Sequence, residues 1–397
     1  MSTLLGIDEP PRPLPPKGYA LWALGFRPFY LFAAVFSALS IVLWALQFSG
    51  VIALPYLRGP VWHAHEMLFG YTLAIIVGFL FTAGQNWTGQ PTPKGGALAA
   101  LVALWLAGRV MVLTPWGVAA ALVNVAFPLA AAAGIARPLI AAQNKRNYFF
   151  VGMLVLMALA QAVVHAVQLG RLTLPTTIGL QFGLDIVLFI MTVMAGRVVP
   201  MFTNNGVPGT QAVRHPQVEK LVLGSVLALL AADAVGLRGG WLLPLLLVAA
   251  LAHGTRLWLW QPWRTTRAPL VWVLHAAYAW IPLHLLLRAG AEVDLLAAST
   301  ATHALTAGAI GTLTLGMMTR TARGHTAQPL RADRWDTIAY VTVLAAAVVR
   351  VFVPMLAPSA IVVAALVSGV LWSAAFAIYV WRYAPLLIRP RADGRPG

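Results

Sequence analysis

The sequence predicts an all-α polytopic membrane protein with about twelve transmembrane helices. Three observations predict it. Of 397 residues, 60% are hydrophobic and only 10% are charged, whereas soluble domains carry about a quarter charged residues. Many apolar segments reach the ~20 residues that a helix needs to cross a bilayer. The short alternating strands of an outer-membrane barrel are missing from the pattern. Together these exclude an ordinary soluble enzyme.

Residues 1–26 read as a cytoplasmic proline-rich tail, with Asp8, Glu9 and five prolines between Pro10 and Pro16. A signal peptide starts basic and turns apolar early, so this start predicts an uncleaved first helix. Residues 27–383 read as a single twelve-helix membrane domain, and 384–397 as a basic cytoplasmic tail. The spans are expected at 27–47, 62–82, 96–113, 117–136, 148–168, 175–196, 219–236, 240–258, 269–288, 295–318, 335–353 and 359–381. Breakers punctuate the connections, among them Gly59 and Pro60, Gly89 and Pro91, Gly206 and Pro208, and Pro354 and Pro358.

With the amino terminus inside, 21 of the 27 basic residues fall on the inner side and six on the outer: Arg58, Arg109, Arg171, Arg238, Arg288 and Arg350. Positive charge marks the cytoplasmic face, so both termini are expected in the cytoplasm and the number of spans is even. The net charge of +16 is therefore read as a topology signal, and no nucleic-acid partner is expected. Spans 2, 6 and 10 each run into a polar, glycine-bearing exit, at 82–91, 195–206 and 318–329. That spacing suggests three groups of four helices. Repeats in membrane proteins often place a site where they meet.

Cysteine is absent. That excludes disulfides, thiolate zinc sites, iron–sulfur clusters and covalently attached c-type haem. Any metal must use imidazole, thioether, carboxylate or backbone ligands. Of nine histidines, seven fall in or at the start of spans, and these are the candidate metal ligands: His63, His65, His165, His253, His275, His284 and His303. The orientation puts His63, His65, His165, His284 and His303 in an outer layer and His253 and His275 in the inner half. His275 and His284 are separated by about 13.5 Å of helical rise and face opposite ways, so they cannot share an ion.

Trp62-His63-Ala64-His65-Glu66-Met67 is the densest constellation. Two imidazoles beside a carboxylate can hold copper or an axial haem position. Successive helical residues turn by about 100°, so His63 and His65 are expected to serve different centres or to orient one another. An interfacial Trp/His belt is the plainer reading. Gln161 and Gln168 share a face with His165, and Tyr278 is placed to donate to His275. Each of these also fits an interhelical hydrogen bond. Gly308, Thr312 and Gly316 form a small-residue row that admits a close helix or cofactor. Glu66 is the candidate proton-supplying catalytic group, with Asp185 a second buried carboxyl. Arg197 and Asn204 are candidates for haem propionates or another anion, and Tyr278 for cofactor contact.

Five stretches also resemble one family: GFRPFYLF at 25–32, WHAHEMLFGY at 62–71, GFLFTAGQNWTG at 78–89, AGRVVPMFTNN at 195–205 and HALTAGAIGTLTLGMMTRTARGHT at 303–326. They look like the NnrS family. The resemblance implies a bacterial inner-membrane protein holding haem and copper and linked to nitric oxide, denitrification and nitrosative stress. The missing attachment motif makes the haem noncovalent haem b. Three functions are then open. The first is reduction of NO to N2O, with electrons from quinol or a periplasmic redox protein. The second is a carrier or sensor that binds NO or nitrosyl-iron without turnover. The third is haem or metal transport. The twelve spans in three groups of four resemble the heme–copper oxidase catalytic subunit. The chain departs from it, because span 10 has one histidine and no adjacent His-His pair exists.

Overall fold

The computed structural model describes residues 18–395, and the described chain is helical without strands. The proline-rich run expected in the amino-terminal tail lies outside the described residues. Twelve rods follow one another: α1 Phe26–Phe48, α2 Gly59–Thr88, α3 Gly96–Met111, α4 Gly117–Ala141, α5 Phe149–Gln168 and α6 Thr177–Gly206. Then come α7 Pro216–Ala234, α8 Leu243–Leu259, α9 Pro269–Ala291, α10 at 298–325, α11 Arg334–Leu356 and α12 Ile361–Ile388. Among the described residues nine helices are long and apolar enough to cross a membrane, and Gly96–Met111 is a shorter apolar one.

The outside of the bundle is apolar. Leu122, Leu251, Val363 and Val370 are exposed along the rods. Exposed tryptophans sit at the helix ends, Trp116 and Trp241 at one end and Trp258 and Trp381 at the other. Amphipathic rings at two levels flanking an apolar band are the signature of a bilayer-spanning surface. The chain is a multi-pass membrane protein.

Successive rods from α3 to α12 pack on one another, and α12 returns to pack on α1. That closure is polar at one end. Arg27, fully buried, donates Nη1 to the carbonyls of Leu387 (3.0 Å) and Arg389 (2.7 Å), and the Ala20 amide donates to Ile388 (2.7 Å). A guanidinium satisfies the unpaired carbonyls at a helix C-terminus and opposes its dipole. Both ends of the described chain therefore meet at one end of the bundle.

The helices run past the expected spans at that end. The three polar exits are helical for six to ten further residues, so that α2 reaches Thr88, α6 Gly206 and α10 His325. Hydropathy reports where lipid stops, not where a helix stops. Polar residues continue α2 until Gly89, which closes it in the left-handed region at φ 67°, and α6 continues through Pro200. The last helix likewise reaches Ile388 rather than 381.

Two rods are not regular. α2 contains a π-helical stretch at Glu66–Thr72, and α10 one at Ala304–Gly311. Each begins directly after a candidate histidine, His65 and His303. A π turn leaves carbonyls unmatched by the usual i→i−4 ladder, and such turns cluster at functional sites. The freed Gly70 carbonyl accepts from Trp105 Nε1 of α3 at 2.9 Å. The small-residue row on α10 serves helix packing: Gly308 lies under Trp280, and Gly316 against Val273 and Leu274, all on α9.

Candidate functional site

The end of α2 nearest Gly59 brings His63 and His65 to two different places. His63 faces a cavity lined from α1, α2, α6, α10, α11 and α12, including Trp44, Tyr71, His303, Arg350 and Trp372. The cavity has a volume of about 140 Å³. Across it the His63 and His303 rings lie nearly parallel, at 10°, with centres 6.5 Å apart. Trp44 stacks on the other side of His63 at 4.8 Å. His303 Nδ1 donates to the Ser299 carbonyl at 2.7 Å, which leaves Nε2 as the lone-pair nitrogen.

His65 turns away from that cavity into the helices behind it. It is fully buried, and its ring meets His165 of α5 at 4.9 Å and 71°. Its Nδ1 is 2.8 Å from Glu66 Oε1, and the same oxygen accepts from Arg109 Nη1 at 2.6 Å. Arg109 also donates to the Asn124 side-chain oxygen, and Asn124 donates in turn to the Ala120 carbonyl at 2.8 Å. Gly70 makes this possible, because a Cβ there would overlap the Arg109 guanidinium. On the other side, His165 Nδ1 is 3.0 Å from the Tyr56 hydroxyl, and Gln168 holds the Tyr56 carbonyl at 3.3 Å.

The other candidates are dispersed. Tyr278 bonds His253 Nδ1 at 2.7 Å rather than His275, and Arg256 donates to the same hydroxyl at 3.2 Å. Arg256 in turn grips Glu219 through Nε (2.8 Å) and Nη2 (2.6 Å). His275 Nε2 is 2.8 Å from the Thr203 hydroxyl. His284 Nδ1 donates to the Ala301 carbonyl at 2.8 Å. Asp185 and Asp233 share Arg288, at 3.8 and 2.6 Å. Arg197 donates to Asn147 at 2.7 Å and lies over Phe149 and Phe150. Asn204 clamps Ala212, accepting from its amide at 2.8 Å and donating to its carbonyl at 3.0 Å. These last two brace the far end of the bundle and do not reach the cavity.

Ring geometry separates the two imidazole pairs. Imidazoles on opposite sides of one ion, bonded at about 2 Å, hold their centres about 6 Å apart, whereas a tetrahedral angle brings them to about 5 Å. The His63–His303 centres, 6.5 Å apart, have the spacing of the first, and the His65–His165 centres, 4.9 Å apart, that of the second. Among the described residues no three of His, Asp and Glu converge on one point.

The NnrS protein family model matches residues 20–391. The chain belongs to the NnrS family. No curated protein matches it. Membership carries the association with nitric oxide that the motifs implied. A haem held in the cavity would have His63, His303 and Arg350 among the residues lining it. Copper needs further neutral imidazoles, which the chain has.

Sequence reasoning missed four residues that shape these places: Trp44, Tyr56, Arg109 and Arg350. For Arg109 a signal existed, since a charge inside an apolar span is a functional candidate. It was counted as a topology charge. Tyr56 and Trp44 carry no such mark.

Proposed function

We propose that this NnrS-family chain is a haem- and copper-holding protein of the bacterial inner membrane that reduces nitric oxide to N2O, with twelve spans in three groups of four and both termini in the cytoplasm. One observation carries the reading. Two histidines two residues apart on α2 join two different imidazole partners, so two redox groups would sit side by side at one depth. Coupling two NO molecules consumes two electrons and two protons and yields N2O and water. Bound there, haem and copper would supply one-electron redox chemistry and coordination of the nitrogen oxide.

The chain's own part is positioning and proton supply. His63 and His303 are held apart by rods α2 and α10, which are tied to one another by the Tyr71–Thr314 hydrogen bond at 2.6 Å. The mostly apolar lining would suit a small uncharged gas. Glu66 Oε1 is committed to His65 and Arg109, but Oε2 is buried without a partner, so it is the atom available to hold or pass a proton.

The opposing His63 and His303 rings also favour a second reading. A haem held by both His63 and His303 would have no position left for NO, which would suit electron transfer or sensing rather than turnover there. The test is purified protein given NO and an electron donor. Reduction predicts one N2O for every two NO consumed, lost in His63→Ala and His303→Ala. A nitrosyl absorption band without N2O would leave the second reading standing.

A further inference from the structure

Buried polar atoms are nearly always paired, and each exception asks for an explanation such as a water or an ion. Around His65 and His165 the exceptions crowd together. His65 Nε2, His165 Nε2, Glu66 Oε2 and both side-chain polar atoms of Gln161 are buried without a hydrogen-bond partner. Gln161 lies one turn before His165 on α5, on the same face. His65, Glu66, His165 and Gln161 are each 0 or 1% exposed, so bulk water does not reach them.

The partners fix what these nitrogens offer. An ionised carboxylate only accepts, so His65 Nδ1 donates to Glu66 and Nε2 is left as a lone pair. The Tyr56 hydroxyl oxygen can accept from His165 Nδ1, and in that tautomer His165 Nε2 is a lone pair too. Two such nitrogens on rings 4.9 Å apart have nothing to donate to one another. A cation between them satisfies both. An imidazole whose far nitrogen is held by a carboxylate or a hydroxyl is the usual form of a metal-ligating histidine.

Charge chooses the ion. Arg109 already balances Glu66 at 2.6 Å, and both imidazoles are neutral. The site offers no net negative charge. Desolvation cost scales with the square of the charge, so a divalent ion costs four times a monovalent one in this interior. Zinc also wants four ligands. Copper(I) binds imidazole, carries one charge and takes two or three ligands; imidazoles bent toward one another as these are call for a third, for which the unpartnered Gln161 Oε1 is available.

We propose that His65 and His165 form a copper(I) site, oriented by Glu66–Arg109 on one side and by Tyr56 on the other, and separate from the His63–His303 cavity. The proposal deepens the reading above by naming where the copper sits, but it does not depend on turnover of NO.

The test uses the full-length protein as purified, stripped with a copper(I) chelator and reloaded anaerobically with copper(I) alone. One copper per chain is expected, with a copper X-ray absorption edge typical of two or three nitrogen or oxygen ligands. His65→Ala and His165→Ala should abolish loading. Tyr56→Phe removes the oxygen that accepts from His165 Nδ1 and leaves both ligands in place. It should weaken copper affinity about 10–100-fold, the usual loss when an outer partner is removed. The haem spectrum should be unchanged in His165→Ala and Tyr56→Phe, which also reports that the protein is folded. Full copper in His165→Ala would overturn the site, as would loss of copper only in His63→Ala or His303→Ala. Wild-type protein that takes up no copper(I) would overturn it too and leave water as the occupant. Absence of N2O production with this loading pattern intact would refute NO reduction and leave the site standing.

Discussion

Arg109 is the residue that most changes how the site is understood. It lies in an apolar helix and spends its charge on Glu66, whose other contact is His65. Removing one partner of a buried pair leaves an uncompensated charge, which costs about 3–5 kcal/mol. Arg109→Ala should therefore lower the thermal unfolding midpoint in detergent sharply, whereas Arg109→Ala with Glu66→Gln should recover much of the loss. An unchanged midpoint in the single variant would mean that the pair is not closed in the folded protein. His215, the cap residue before α7, is exposed, and His215→Ala should alter neither stability nor cofactor content. At this scale the sequence was half legible. The divergence of His63 and His65 follows from helical turn alone. Which histidine each would meet does not, because His165 and His303 lie on helices whose packing only the fold supplies.

At the scale of the element, the π turns decide the geometry. Nothing in the spacing of apolar residues predicts them, since both stretches read as ordinary span. Within the first of them, close passage of Arg109 leaves no room for a side chain at Gly70. Gly70→Ala should overpack this crossing by about 1–3 kcal/mol, and loss of the Arg109–Glu66 contact should accompany it. A variant as stable as wild type would contradict the role given to this glycine. The start of α11 offers a second element-scale test. Asp333 caps the helix, accepting from the Trp335 amide at 2.9 Å and the Asp336 amide at 3.1 Å. Burial alone would raise the Asp333 carboxyl, but the Asp336 amide and Arg382 hold it below its usual value. A lowered carboxyl stabilises the fold above its unfolded pKa, about 3.9, and that stabilisation is lost as pH falls through the folded value. Asp333→Ala should thus cost about 1 kcal/mol at neutral pH, and progressively less below about pH 4. A penalty independent of pH would show that the carboxylate charge is not involved.

For the whole molecule, composition and charge placement carried most of the prediction. Twelve helical rods follow the expected order, because apolar length and breaker placement are local properties. The charge count was less clean than it looked. Arg109 and Arg288, two of the six outer basic residues, are buried in ion pairs and say nothing about loops. Arg27 and Arg256 on the inner side are buried likewise, and setting all four aside leaves 19 inner basic residues against four outer ones. A single cysteine at Gln211 or Gln328 in this cysteine-free chain should resist a membrane-impermeant thiol reagent in intact cells and react after permeabilisation. Labelling in intact cells would invert the topology.

The central claim is that two imidazole pairs hold two separate groups, and paired cofactor analysis of His303→Ala and His165→Ala tests it most directly. Haem is read from the pyridine haemochrome and copper from elemental analysis, each per chain in folded protein. The account predicts that His303→Ala loses haem and keeps copper, and that His165→Ala loses copper and keeps haem. Loss of both groups together in either variant, or of neither in both, would contradict it.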